Sequence, residues 1–357
     1  MRAAFRLLGG LLLAGALGCS SESGGTPASG GSAGAAGAGG AAGASGAGGS
    51  AVGGFAGLGF ECGHAEPVAD ERPLPKDVTD AAPTLALRAT SRRLEVWTPD
   101  SSSLADSEVL TFGKSACGAL LFDLGSFALA ESTAEMAQRV RVVVVDPATF
   151  GTATGAPGAY GVAFAQSKTT SDAIILPDDA FSNVVELDDT LAHELSHIVG
   201  GRSAPWDAWI PWWLIEGTAI MNGSYWGKQL HDQPTSFVEA WLDVADGSDA
   251  TLTFDRYGLE DETQDLAETG HDQALSGFFV EFLRVKVARP GGGYGFPDAL
   301  PRLLVLMKRV SAGDDFDATF AEELGGLPLA KAQADYVQFL DDTVGDLATR
   351  YSGTVFE

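Results

Sequence analysis

The chain is poor in positive charge, in cysteine and in histidine. Its 357 residues hold 22 Lys and Arg against 48 Asp and Glu, a formal net charge of -26. With no basic surplus to neutralise phosphates, the composition argues against DNA, RNA or an anionic lipid surface as the main partner. Three cysteines are too few for a disulfide scaffold, and none stands in a Cys-x-x-Cys pair. Cysteine-ligated zinc and dithiol redox chemistry are therefore disfavoured. With only five histidines, the place of each one matters. Against these shortages, 45% of the residues are hydrophobic, enough to bury a sizeable core.

The N-terminus reads as a targeting segment. Arg2 and Arg6 precede the apolar run Leu7 to Leu17, which is too short to span a bilayer and has the length of a signal-peptide core. Residues 1–18 are thus expected to be removed. Ala16-Leu17-Gly18-Cys19 resembles a bacterial lipobox, in which Cys19 becomes lipidated and is the first residue of the mature protein. Residues 19–60 follow as a tether of Gly, Ala and Ser, in which Glu22 is the only charge. Such a stretch cannot bury enough apolar surface to order itself. An exported protein is expected, held at the bacterial cell envelope as an outer-membrane lipoprotein or released outside the cell. The membrane is then reached through the N-terminal lipid alone. In such a compartment Cys62 and Cys117 favour a disulfide, with two buried thiols as the alternative.

The folded part is expected over 61–357. Arg92 to Trp97, Val140 to Val145, Ala159 to Ala165 and Asp172 to Leu176 read as strands. Apolar spacing predicts helices over 103–124, 187–200, 210–225, 235–244, 271–288, 299–310, 316–323 and 329–343. Strands first and helices afterwards indicate an α+β fold, a sheet-rich part over 61–185 leading into a helical part over 186–357.

The chemistry concentrates in Leu191-Ala192-His193-Glu194-Leu195-Ser196-His197-Ile198-Val199. On a helix, His193 and His197 stand one turn apart on one face, where a single cation can take both imidazoles. Glu194 lies about 100° round the helix, placed to take a proton from water beside such an ion. The alternative, two polar residues on a solvated face, fits poorly with the apolar flanks. Asp188 and Asp189 are read as first-turn acids favouring the positive helix end. In Trp212-Trp213-Leu214-Ile215-Glu216-Gly217-Thr218-Ala219, Glu216 can return as a third ligand after a turn at Gly200-Gly201. Two His and one Glu leave a fourth position for solvent, the open set of a catalytic zinc. Trp206, Trp209, Trp212 and Trp213 lie between the two motifs, as core packing or as an aromatic wall facing substrate. Aspartates at 243, 246, 249 and 255 lack the spacing of a calcium loop.

His193-Glu194-Leu195-Ser196-His197 together with Glu216-Gly217-Thr218-Ala219 resembles the gluzincin metallopeptidases, and within them the bacterial peptidase MA-like group of exported proteins. The similarity runs over roughly residues 90–345. It implies a zincin-like fold with the metal site between its two parts, Zn2+ held by His193, His197 and Glu216, and Glu194 as general base toward a peptide or protein substrate. It implies a downstream Tyr or His that steadies the oxyanion. His271 is the first candidate, with Tyr257, Tyr225 and His231 behind it. The strand at 172–176 would border the cleft and pair with extended peptide. The sequence departs from these relatives at Ile220, where many carry an acid that orients a ligand histidine. Two further readings stay open: a non-catalytic zinc-binding surface lipoprotein, and a zinc hydrolase of non-peptide substrates.

Overall fold

In the computed structural model the chain is described over residues 58–164, 166, 169–204, 210–231, 276–277, 279–283 and 299–336. The leader, Cys19 and nearly all of the tether lie outside these residues, as do the helix expected over 235–244 and the aspartates at 243, 246, 249 and 255. The described chain is α+β: six strands form one mixed sheet, and a mainly helical region follows.

The sheet order is β1-β2-β3-β4-β6-β5, with β1 Leu58–Gly59, β2 Leu85–Thr90, β3 Leu94–Pro99, β4 Val140–Val145, β5 Val162–Phe164 and β6 Ala173–Pro177. β3, β4 and β6 run parallel, whereas β2 pairs antiparallel to β3 and β5 antiparallel to β6. Both faces are covered, which is why β4 and β6 read as continuous apolar runs. Val142, Val144, Ile174 and Leu176 face one core, with α2 (Asp106–Ser126) and α4 (Val184–Ser203). Val143, Val145, Ala173 and Ile175 face the other, with α1 (Lys76–Ala81) and α3 (Pro147–Thr154). The strand at 172–176 is therefore interior. Its edges are taken by β4 and β5, so it has no free ladder for a peptide, and β5 forms that end of the sheet.

α3 is a short helix fixed at both ends. Asp146 accepts hydrogen bonds from the amides of Ala148 and Thr149, Pro147 opens the first turn, and Gly155 closes it at φ 73°. Two glycines inside α2, Gly113 and Gly118, sit where aromatic neighbours press on the helix. A Cβ on Gly113 would stand 2.7 Å from Phe60, and one on Gly118 2.7 Å from Trp226. Cys62 and Cys117 are disulfide-bonded, joining the segment after β1 to the middle of α2.

α4 starts earlier and ends later than its apolar pattern suggests. Asn183 caps it by accepting from the amides of Val185 and Glu186. At the other end Arg202 makes a two-pronged bond to Asp172, at 2.5 and 2.9 Å, and donates to the carbonyls of Gln138 and Arg139. A cation there also suits the negative helix end. Gly200 and Gly201 thus lie inside the last turns of α4 and do not form the expected turn. α5 (Trp212–His231) returns antiparallel to α4: its residues 216, 222 and 231 meet α4 at 193 and 197, 196, and 188 in that order. Behind it lie helical residues 279–283, α6 (Ala299–Ser311), α7 (Phe316–Glu323) and a helix from Leu329. No helix among the described residues is long and apolar enough to cross a membrane.

Candidate metal centre

Three ligand atoms converge where α4 and α5 face one another. His193 Nε2 and His197 Nε2 are 3.1 Å apart. Glu216 Oε2 is 3.4 Å from His193 Nε2, and Glu216 Oε1 is 3.3 Å from His197 Nε2. Helical periodicity puts the two imidazoles one turn apart, and α5 delivers the carboxylate from the facing side. Among the described residues no other group of three His, Cys, Asp or Glu side chains meets in this way.

The separations fit ligands around one ion. Ligand bonds of 2.0–2.1 Å in a tetrahedron place neighbouring ligand atoms about 3.3 Å apart. A charge-assisted hydrogen bond would draw the same atoms to about 2.7–2.9 Å. Glu216 is 0% exposed, and neither carboxylate oxygen has a hydrogen-bond partner. A buried anion so placed is costly unless a cation meets it. Two imidazoles and a carboxylate are also the donor set that suits zinc. The residues present therefore fit a divalent metal ion, in an HxxxH-like spacing completed by a carboxylate.

Glu194 is 1% exposed and stands beside this cluster. The backbone N–H of Ala163 in β5 donates to its carboxylate, while Oε2 has no hydrogen-bond partner. Gly161, just before β5, lets the strand approach. A Cβ there would lie 2.7 Å from Thr190 and 3.2 Å from Glu194 Cγ. Burial pushes the Glu194 carboxyl up to about 8, against the pull of His193 and with the repulsion of Glu216. Burial also disfavours charge on both imidazoles. His197 goes down to about 4, while the carboxylates of Glu216, Glu194 and Asp189 reverse the trend at His193 and carry it to about 9. The metal-free site thus holds one positive imidazole among carboxylates.

The remaining candidates divide. His271 and Tyr257 lie outside the described residues, as do Trp206 and Trp209. Tyr225 is nine residues beyond Glu216, about 13 Å along α5, and its hydroxyl lies 3.1–3.2 Å from the Glu281 carboxylate. His231 is about 22 Å along the helix and bonds Asp188. Neither reaches the cluster. Trp213 packs into the core, with ring centroids 4.7 Å from Phe279 and 6.3 Å from Phe316 and Phe320. Ile220 is buried and apolar and offers no hydrogen bond to either histidine.

Two features were missed by reading the sequence. Asp188 and Asp189 are not first-turn acids, because Asn183 starts the helix a turn earlier. Asp188 instead accepts from Ser115 at 2.7 Å and meets His231 at 2.7 Å, fastening α4 to α2 and α5. Asn222 Nδ2 donates to Ser196 Oγ at 3.1 Å, a buried bond between the two ligand-bearing helices. Neither partner carries a local signal, since the pairs are far apart in sequence.

The chain matches no protein-family model, and no curated protein matches it.

Proposed function

We propose that the chain is a zinc-dependent metallopeptidase hydrolysing peptide bonds in a peptide or protein substrate. One observation carries the reading: a buried His193–His197–Glu216 cluster with ligand-like separations, set beside a Glu194 carboxylate that keeps one oxygen free. Zinc held by these three residues would supply a Lewis acid that acidifies water and polarises a carbonyl. Glu194 accepts the proton of the attacking water as its oxygen bonds to the substrate carbon. The same carboxyl gives that proton to the amine as the C–N bond breaks. Ala163 N–H fixes one of its oxygens and leaves the other for this work.

Export belongs to the same proposal, with removal of residues 1–18, lipidation at Cys19 and a tether reaching roughly 30–35 Å. The Cys62–Cys117 bond accords with an oxidising compartment.

Replacing Glu194 by Gln tests the mechanism. Glu194→Gln is expected to bind zinc as the wild type does, by elemental analysis, and to lose about 10²–10⁴-fold in cleavage of a peptide library. Wild-type rates in that variant would overturn the role of Glu194. A wild-type chain that binds zinc and cleaves nothing across the library would overturn the peptidase reading.

A further inference from the structure

α4 and α5 carry the three ligands between them, so their register decides whether His193, His197 and Glu216 share one centre. Apolar burial is non-directional and does little to fix a register. Leu195, Ile198 and Val199 on α4 and Ile215, Ile220 and Met221 on α5 belong to one such core. A hydrogen bond between buried groups is directional and does fix a pairing. Asn222 and Ser196 make one. Asn222 Nδ2 donates to Ser196 Oγ at 3.1 Å, and the two residues are 0% and 2% exposed. Ser196 stands between the two histidines on α4. Asn222 follows Glu216 by six residues, about 9 Å along α5. Gly223, the next residue, lets the helices close at this point. A Cβ on it would stand 2.8 Å from the Asp189 carbonyl oxygen. The bond is a poor source of stability, because Asn222 Oδ1 is buried with no hydrogen-bond partner.

We propose that Asn222 is a positioning residue for the metal centre: through Ser196 it sets the register of α5 on α4 and so holds Glu216 opposite the two imidazoles. A buried polar pair of this kind specifies alignment at some cost in stability. The inference rests on the metal-binding reading of the cluster, and stands apart from whether the chain cleaves peptides.

The test is zinc affinity of the folded chain, read by competition with a chromophoric chelator, alongside thermal melting of the zinc-free protein. Ser196→Ala removes only the accepting hydroxyl and is expected to weaken zinc binding roughly tenfold, within the range of couplings inside one network. The double variant Ser196→Ala, Asn222→Leu replaces both partners by apolar groups of similar size. Zinc-free, it should melt within about two degrees of the wild type or above it, since the pair leaves no polar group unmet. Its zinc affinity should nevertheless stay roughly tenfold below wild type, because the directional contact is gone. A pair that served stability alone would recover zinc affinity together with the melting temperature, and that recovery would overturn the inference. So would zinc affinity within about threefold of wild type in Ser196→Ala, the smaller change, which decides alone if the double variant does not fold. Ile198→Val trims an apolar group from the same stretch of α4. It should lower the melting temperature and leave zinc affinity near wild type. A loss there equal to that in Ser196→Ala would mark general loosening of the helix and count against Asn222. Failure of the wild type to bind zinc at all would sink the metal reading itself, a result distinct from these.

Discussion

Asp123 is a buried acid with no partner, well away from the candidate metal centre in the sequence. It lies in α2 at 0% exposure, and neither carboxylate oxygen has a hydrogen-bond partner. Burial alone pushes its carboxyl well above the ordinary 3.8. The folded chain therefore holds a proton that the unfolded chain releases, and stability falls as pH climbs from about 4 toward the folded value. Below about pH 4 both states are protonated and the penalty disappears. Asp123→Asn keeps the shape without the proton uptake. It is expected to be more stable than the wild type at pH 7, where the wild type must keep that proton to fold. In urea melts the gain should shrink toward zero near pH 4. An equal gain at both pH values would show that ionisation is not its source.

Among elements, those with strong local patterns were legible and those set by distant partners were not. β4 matches its expected limits because both faces of VRVVVV are buried, and α7 because Asp315 caps it by accepting from the Ala318 amide. The His193, His197 and Glu194 arrangement was legible for a similar reason, since helical spacing alone puts it together. β2 was missed because its residues are mostly half-buried and show little alternation. α1 and α3 were missed because six and eight residues give little periodicity, and their caps do the defining. The Asp188 network and the Ala163–Glu194 contact depend on packing between segments remote in sequence. The disulfide belongs to this scale, since it ties the edge of the sheet to α2 across a separation of 55 residues. Closing a loop of that length restricts the unfolded chain by roughly 4 kcal/mol in the entropy account. The double variant Cys62→Ser, Cys117→Ser should therefore lose about 2–4 kcal/mol in denaturant melts. Its zinc affinity should stay near wild type, because neither cysteine touches the ligand cluster. A stability unchanged by the substitutions would mean that α2 and the β1 segment hold together without the bond.

At the scale of the molecule, the candidate ligand cluster lies between two helices that share one continuous core. α4 rests on the sheet, through the core that holds Ile174 and Leu176. α5 rests on the helical side, where Trp213 meets Phe279, Phe316 and Phe320 and Tyr336 closes on Phe279. The histidines come from α4 and Glu216 from α5, so an ion bound by all three would tie the two helices together. Without it, a buried imidazolium must balance carboxylates at separations longer than a strong ionic hydrogen bond. Binding to the folded chain alone raises stability by an amount fixed by concentration, about 2.7 kcal/mol at a hundredfold excess over Kd. Zinc should accordingly raise the melting temperature by several degrees, in proportion to the logarithm of free zinc, and a chelator should reverse the rise. Glu216→Ala should abolish that dependence while the zinc-free chain still melts cooperatively. A zinc-independent melting temperature in the wild type would mean that the three side chains meet without serving an ion, and a zinc response surviving in Glu216→Ala would place the ion elsewhere.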